Sequence, residues 1–137
     1  MTKYPRIQKV FLSGRINSTW QDKVIQSVPE LVYFDPRTHN LNNPDQYASW
    51  DMHYVKEADI LFGYMEKDNP SGYGLATEIG YARGLGKTII LVDERSRNDE
   101  QFSDFFAIVR ASSTVVLETL NEGITLLKSF AKENSNP

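Results

Sequence analysis

Short apolar runs alternate with segments of helical period from one end of the chain to the other. Runs rich in β-branched and aromatic residues at 8–13 (QKVFLS), 31–34 (LVYF), 59–65 (DILFGYM), 87–93 (KTIILVD) and 113–117 (STVVL) read as strands. Between them, apolar residues recur at three- and four-residue spacings near 19–27, 45–58, 75–84 and 98–110, and a last such segment spans about 120–132. The strand runs lack clean apolar–polar alternation, as expected of strands covered on both faces. Strands alternating with helices predict an α/β fold, a doubly wound parallel sheet of five strands. No internal repeat is visible, and a polar tail at about 133–137 is expected to fray.

Such a sheet says where to look for chemistry, because ligands bind outside the carboxyl ends of its strands. Four turns fall there: Ser13-Gly14-Arg15-Ile16-Asn17, Asp35-Pro36-Arg37, the stretch from Lys67 to Gly74, and Asp93-Glu94-Arg95. Each carries charge or glycine.

Composition narrows the options. At 137 residues the chain fits one domain, spanning 1–137, able to bury roughly two thirds of its unfolded surface. It has no cysteine, which excludes disulfides, thiolate metal sites and cysteine nucleophiles. Two histidines, His39 and His53, do not make a histidine-rich metal site, and neither HExxH nor a calcium-loop pattern occurs. A net charge of −3 argues against a surface built for nucleic-acid polymers, though not against one small nucleotide. No run is long and apolar enough to span a membrane, and residues 1–9 lack the apolar core of a secretory signal. A cytoplasmic protein acting on a small molecule, with no metal or other cofactor, is the expectation.

Two acids stand where apolar residues belong. Glu78 has Gly74, Leu75, Tyr81 and Ala82 at helical spacing on its own side, and Asp51 has Tyr47, Tyr54, Val55 and Ala58. A buried carboxylate is costly unless paired, hydrogen-bonded or protonated, so two near one strand edge suggest a site with tuned acids. The segment 75–84 puts Glu78 in about the first helical turn, where the helix dipole favours its ionised form. An ionised carboxylate can attack an anomeric carbon while a partner acid, here Asp51 in a more apolar wall, handles the leaving group's proton. The alternative is structural, with Glu78 serving its own helix N-terminus and Asp51 paired with Lys56 or Arg15.

The turn Asn69-Pro70-Ser71-Gly72-Tyr73-Gly74 leads into the helix of Glu78, and its two glycines allow close approach of a ligand. It is not a dinucleotide fingerprint: Thr77 stands where the third glycine belongs, and the turn follows the third strand rather than the first. In three segments the chain resembles the nucleoside 2-deoxyribosyltransferases and the related 2′-deoxynucleoside 5′-monophosphate N-glycosidases. These are Val10-Phe11-Leu12-Ser13-Gly14-Arg15-Ile16, Asp51 with Asp59 eight residues on, and Gly74-x-x-x-Glu78-Ile79-Gly80-Tyr81-Ala82 followed by Gly86-Lys87.

The resemblance implies a flavodoxin-like or Rossmann-like fold and a covalent deoxyribosyl-enzyme. Glu78 would attack C1′, and Asp51 would protonate the departing base and deprotonate the incoming one. It further implies a homo-oligomer in which a neighbouring subunit, around Ser112-Ser113-Thr114, helps hold the sugar's 5′ end. Asp59 reads as structural or as a support behind the catalytic acids. Two departures matter. Many relatives carry, at the position of Phe11, a tyrosine whose hydroxyl touches the glutamate, and Tyr47, Tyr54 and Tyr73 are candidate substitutes. Transferases also tend to have an acid where this chain has Ser71-Gly72, and a serine there is closer to the monophosphate glycosidases, where it contacts phosphate.

Ser13, Arg15 and Asn17 are placed for a 5′-phosphate or 5′-hydroxyl, or serve the turn alone. Trp20 reads as core and Trp50 as a core residue or a stacking platform for a base, while the histidines read as surface or satisfied core residues. Asp93 reads as a loop cap. The expectation is transfer of 2-deoxyribose between nucleobases with Glu78 and Asp51 as catalytic residues. Ser13, Gly14, Arg15, Asn17, Trp50, Ser71, Gly72, Gly74 and Ser113 are the expected substrate contacts. Hydrolysis is the near alternative. A cytokinin-type phosphoribohydrolase, from the likeness of P-G-G-x-G-T-x-x-E to Pro70 through Glu78, and a non-catalytic nucleotide sensor stand further off.

Overall fold

The computed structural model describes the backbone of residues 6–135 and the side chains of residues 6–131. Five strands, β1 (Lys9–Gly14), β2 (Val32–Phe34), β3 (Ile60–Met65), β4 (Thr88–Asp93) and β5 (Val115–Leu117), pair in parallel in the order β2-β1-β3-β4-β5. Five helices connect and close them: α1 (Trp20–Ser27), α2 (Pro44–Glu57), α3 (Tyr73–Gly84), α4 (Glu100–Ala111) and α5 (Leu120–Ser135). This is the flavodoxin-like order, with its topological switch between β1 and β3. Helix α5 continues past its expected end to Ser135, and residues 136–137 of the expected tail lie outside the described residues.

The missing alternation has a simple cause. Successive strand side chains point to opposite faces, and both faces are covered. Val10, Leu12, Ile60, Phe62, Ile90 and Val92 join α1 and α5, whereas Phe11, Leu61, Met65, Ile89 and Leu91 join α2, α3 and α4. Helix starts follow local chemistry. Asn43 caps α2 by accepting from Asp45 N–H at 2.9 Å, with Pro44 at the first helical position, and Asp99 caps α4 through Phe102 N–H at 3.0 Å.

Helix α3 lies close on the sheet because Gly63 of β3 lacks a side chain. A Cβ there would come within 2.9 Å of Leu75 Cδ1. Since Gly63 pairs with Ser13 across the β1–β3 switch, the close approach brings α3 beside the end of β1. Glu78 is carried there with it.

Candidate active site

A cavity of about 480 Å³ opens at the carboxyl ends of β1 and β3, at the switch point. Glu78 and Asp51 face into it, with Gly14, Ser71 and Gly74 at its rim. Ile16, Leu41, Tyr47 and Leu75 give it an apolar wall. A separate groove of about 420 Å³ between α3 and α4, lined by Phe102, Phe105 and Phe106, shares Ser71 with it but holds no carboxyl pair of this kind.

Glu78 is buried, at 7% exposure, between Leu75 and Ala82, which pack on the sheet. Its Oε1 accepts a hydrogen bond from Ser13 Oγ at 2.5 Å, and its carboxyl meets that of Asp51. Burial is the largest cause holding Glu78 well above the usual carboxylate range; the Asp51 carboxyl pushes the same way, and the Ser13 hydroxyl opposes them. Burial also raises Asp51, against the opposing effects of the Glu78 contact and of His39. Burial thus works against ionising both carboxyls at once.

Helix α3 begins at Tyr73, not near 75, so Glu78 is in the second turn, beyond the strongest effect of the helix dipole. Burial and Asp51 govern its ionisation instead, and they favour the proton. Nor does Asp51 pair with Lys56 or Arg15: its described neighbours are Glu78 and His39.

His39 is the residue that sequence reading missed. Its side chain is only 6% exposed, and Nε2 lies 3.7 Å from Asp51 Oδ1, an oxygen with no donor at hydrogen-bonding distance. Asn40, in the left-handed conformation at φ 54°, turns the chain so that Leu41 N–H donates to His39 Nδ1 at 2.9 Å. In the neutral ring the proton then sits on Nε2, facing Asp51. The loop is held from below: Asp35 accepts from Arg37 N–H and from its guanidinium, which also reaches Asp22 of α1 at 2.8 Å. The signal available in the sequence was position, since His39 follows a turn already assigned to the functional edge.

The other expected site residues separate by place. Gly14 has φ +153°, and a Cβ on it would meet Tyr64 O at 2.7 Å, so glycine is required there by the sheet rather than by a ligand. Gly72, at φ +91°, caps α3 and faces the α3–α4 groove. Gly74 has nothing within 4 Å of a built Cβ, so what it contributes is open cavity. Arg15 donates to Asn17 Oδ1 at 3.1 Å and lies 3.8 Å from Asp68; both residues flank the cavity rather than line it. Trp50 stands behind the cavity, packed edge-on to His39 and tilted on Tyr54.

Ser113 precedes β5 at the opposite edge of the sheet, where its hydroxyl donates to Val109 O. It cannot reach the Glu78 of its own chain. Ser13, expected to touch substrate, turns its hydroxyl to Glu78 instead. Tyr73 is 83% exposed, Tyr54 packs among aromatics, and Tyr47 lines the cavity; none donates to Glu78. Asp59 accepts from Lys9 N–H and pairs with Arg6, and Asp93 accepts from Arg95 and Ser96 N–H, so both are structural. Among the described residues, no group of three His, Asp or Glu side chains is arranged to hold a metal ion, and no helix is long and apolar enough to cross a membrane.

Fold and site define a flavodoxin-like α/β protein with a buried carboxyl pair at its switch point. The chain belongs to the family described as nucleoside 2-deoxyribosyltransferase like, whose model matches residues 7–96, well over half its length. Its chemistry is that of the N-glycosidic bond.

Among solved structures, the chain is similar to a conserved protein from Enterococcus faecalis V583, with a TM-score of 0.69, 14% identity, and coverage of 90% of this chain and 99% of that one. It is also similar to the CMP N-glycosidase BcmB of Clostridium botulinum, with a TM-score of 0.63, 21% identity and the same coverage. At these identities the likenesses bear on fold. No curated protein matches the chain.

Proposed function

We propose that this protein transfers 2-deoxyribose between nucleobases through a covalent deoxyribosyl-Glu78. The observation that carries the reading is the contact between Glu78 and Asp51 at the base of a cavity large enough for a nucleoside. In the free site the pair holds one proton, and burial favours placing it on Glu78. Substrate entering between the carboxyls replaces their mutual contact and leaves the proton on Asp51. A Glu78 oxygen then attacks C1′ and the N-glycosidic bond breaks. Its electron pair goes to the base nitrogen, which takes the proton of Asp51. A second base, losing its proton to Asp51, attacks C1′ and releases Glu78. Two displacements give overall retention.

His39 has a defined part in this cycle. With its Nε2 3.7 Å from Asp51 Oδ1, it is placed to support the carboxylate formed after proton donation. The apolar wall of Ile16, Leu41 and Leu75 keeps water from the glycosyl-enzyme and favours the second base as acceptor. The protein acts as a homo-oligomer, a neighbouring subunit covering the cavity mouth.

A second reading has its own support. Ser71 at the rim, where transferases tend to carry an acid, favours hydrolysis of a nucleoside 5′-monophosphate, with water as acceptor and Arg15 near the mouth for the phosphate. One assay separates the two. The protein is incubated with 2′-deoxynucleosides, their 5′-monophosphates and the ribo counterparts, each with and without a second free base, and products are resolved by chromatography. A new nucleoside in the two-base reaction supports transfer, and free base plus sugar or sugar phosphate supports hydrolysis. No reaction with any substrate would refute both. Sedimentation velocity tests the oligomer, and a monomer with full activity would contradict it.

A further inference from the structure

We infer that Ser13 is the positioning residue of the nucleophile, its hydroxyl fixing the Glu78 carboxyl from the end of β1. The inference rests on the proposed role of Glu78 and adds to it the group that orients it. Phe11 and Ser13 are two residues apart on β1, so both project to the face covered by α2 and α3. Phe11 is fully buried among apolar side chains there and has no hydroxyl to offer. Ser13 stands one step nearer the strand's carboxyl end, and its Oγ donates to Glu78 Oε1 at 2.5 Å.

Three observations set this apart from a substrate contact. Ser13 has 0% exposure, so a ligand in the cavity does not reach its hydroxyl. It is absent from the cavity lining, although its neighbour Gly14 belongs to it. Its hydroxyl proton is already committed to Glu78, and a hydroxyl has only one to give. Support from the strand is also rigid: Ser13 pairs with Gly63 in the centre of the sheet, whereas a partner on a loop would move with the loop. Fixing one carboxylate oxygen leaves the other, Oε2, to face C1′.

The test compares wild type with Ser13→Ala, which removes the hydroxyl, and Ser13→Thr, which keeps it. With the substrate found for the wild type, Ser13→Ala is expected to lower kcat about 10- to 100-fold with little change in KM, because orientation rather than binding is lost. Ser13→Thr is expected to stay much closer to wild type. The pH limb that reports ionisation of the carboxyl pair moves upward in Ser13→Ala, since a donor to the carboxylate is gone. The same loss of kcat is expected with a substrate lacking the 5′ oxygen.

A rise in KM that disappears with the 5′-deoxy substrate would make Ser13 a substrate contact and overturn the inference. So would Ser13→Ala with wild-type kcat and an unmoved pH limb. A wild type inactive on every nucleoside and nucleotide would defeat the proposed function instead. Carbon-13 NMR titration of the Glu78 carboxyl then still decides the contact: an upward move of the Glu78 titration in Ser13→Ala supports it, and an unchanged one refutes it.

Discussion

Replacing Glu78 by glutamine is expected to abolish activity and yet stabilise the fold near neutral pH. Glutamine keeps the shape, its amide oxygen still accepts from Ser13 Oγ, and its NH₂ donates to Asp51, which in the native pair meets another carboxyl. What it removes is the cost of ionising a second carboxyl in a largely buried site. Two like charges about 4 Å apart repel by about 4 kcal/mol at an effective dielectric of 20. The site relieves most of this by keeping one proton and by the Ser13 donor, so a net gain of about 1–2 kcal/mol is expected.

The sign with pH follows from direction. A carboxyl raised in the folded state contributes stability that is full below its unfolded value and is lost as pH rises through the folded one. The advantage of Glu78→Gln should therefore be small near pH 4, grow through the raised range and level off above it. Thermal denaturation of both proteins from pH 4 to 9 reads it as a rise in Tm of about 3–8 °C at the upper end. A variant less stable than wild type at pH 8, or equally stable across the series, would refute the premise of a buried pair with raised pKa values.

Other outcomes follow from the same geometry. The profile of kcat/KM against pH should be bell-shaped, falling at low pH as both carboxyls protonate and at high pH as the last proton leaves; burial places the upper limb above the ordinary carboxylate range. Asp51→Asn should lose that upper limb and about 10²- to 10⁴-fold in rate, less for bases that leave without protonation. His39→Ala should lower the rate about 10-fold, read at fixed pH by initial velocities, because Asp51 loses the Nε2 facing it. Gly72→Ala should cost about 1–2 kcal/mol by chemical denaturation, since φ is +91° and the new Cβ would come within 3.0 Å of Met65 Sδ.

The fold was legible because its signals were redundant. Each of the five strands begins and ends within two residues of its expected place, since β-branched runs bounded by turns leave little choice. The start of α3 was not legible: Gly72-Tyr73-Gly74 reads as a turn, yet only Gly72 adopts a turn conformation while Gly74 is helical. The start at Tyr73 puts Glu78 in the second turn, where burial and Asp51 rather than the dipole set its proton. The carboxyl pair was visible as two acids on apolar stripes. His39 was not visible, because its proximity to Asp51 depends on the left-handed turn at Asn40, which an asparagine permits but does not announce. Ser13 is legible as a residue of the functional edge, but sequence does not show that its hydroxyl turns to Glu78.

The central claim is a covalent bond between Glu78 and the sugar, and rapid quenching under single turnover tests it directly. The protein is mixed with a cleavable nucleoside or nucleotide, quenched in acid and digested, and its peptides are analysed by mass spectrometry. The account predicts a glycosyl adduct on the Glu78 peptide, formed before product, consumed on adding a second base or water, and absent from Glu78→Gln. Product formed at the full rate with no adduct, with inverted anomeric configuration or by Glu78→Gln would contradict it.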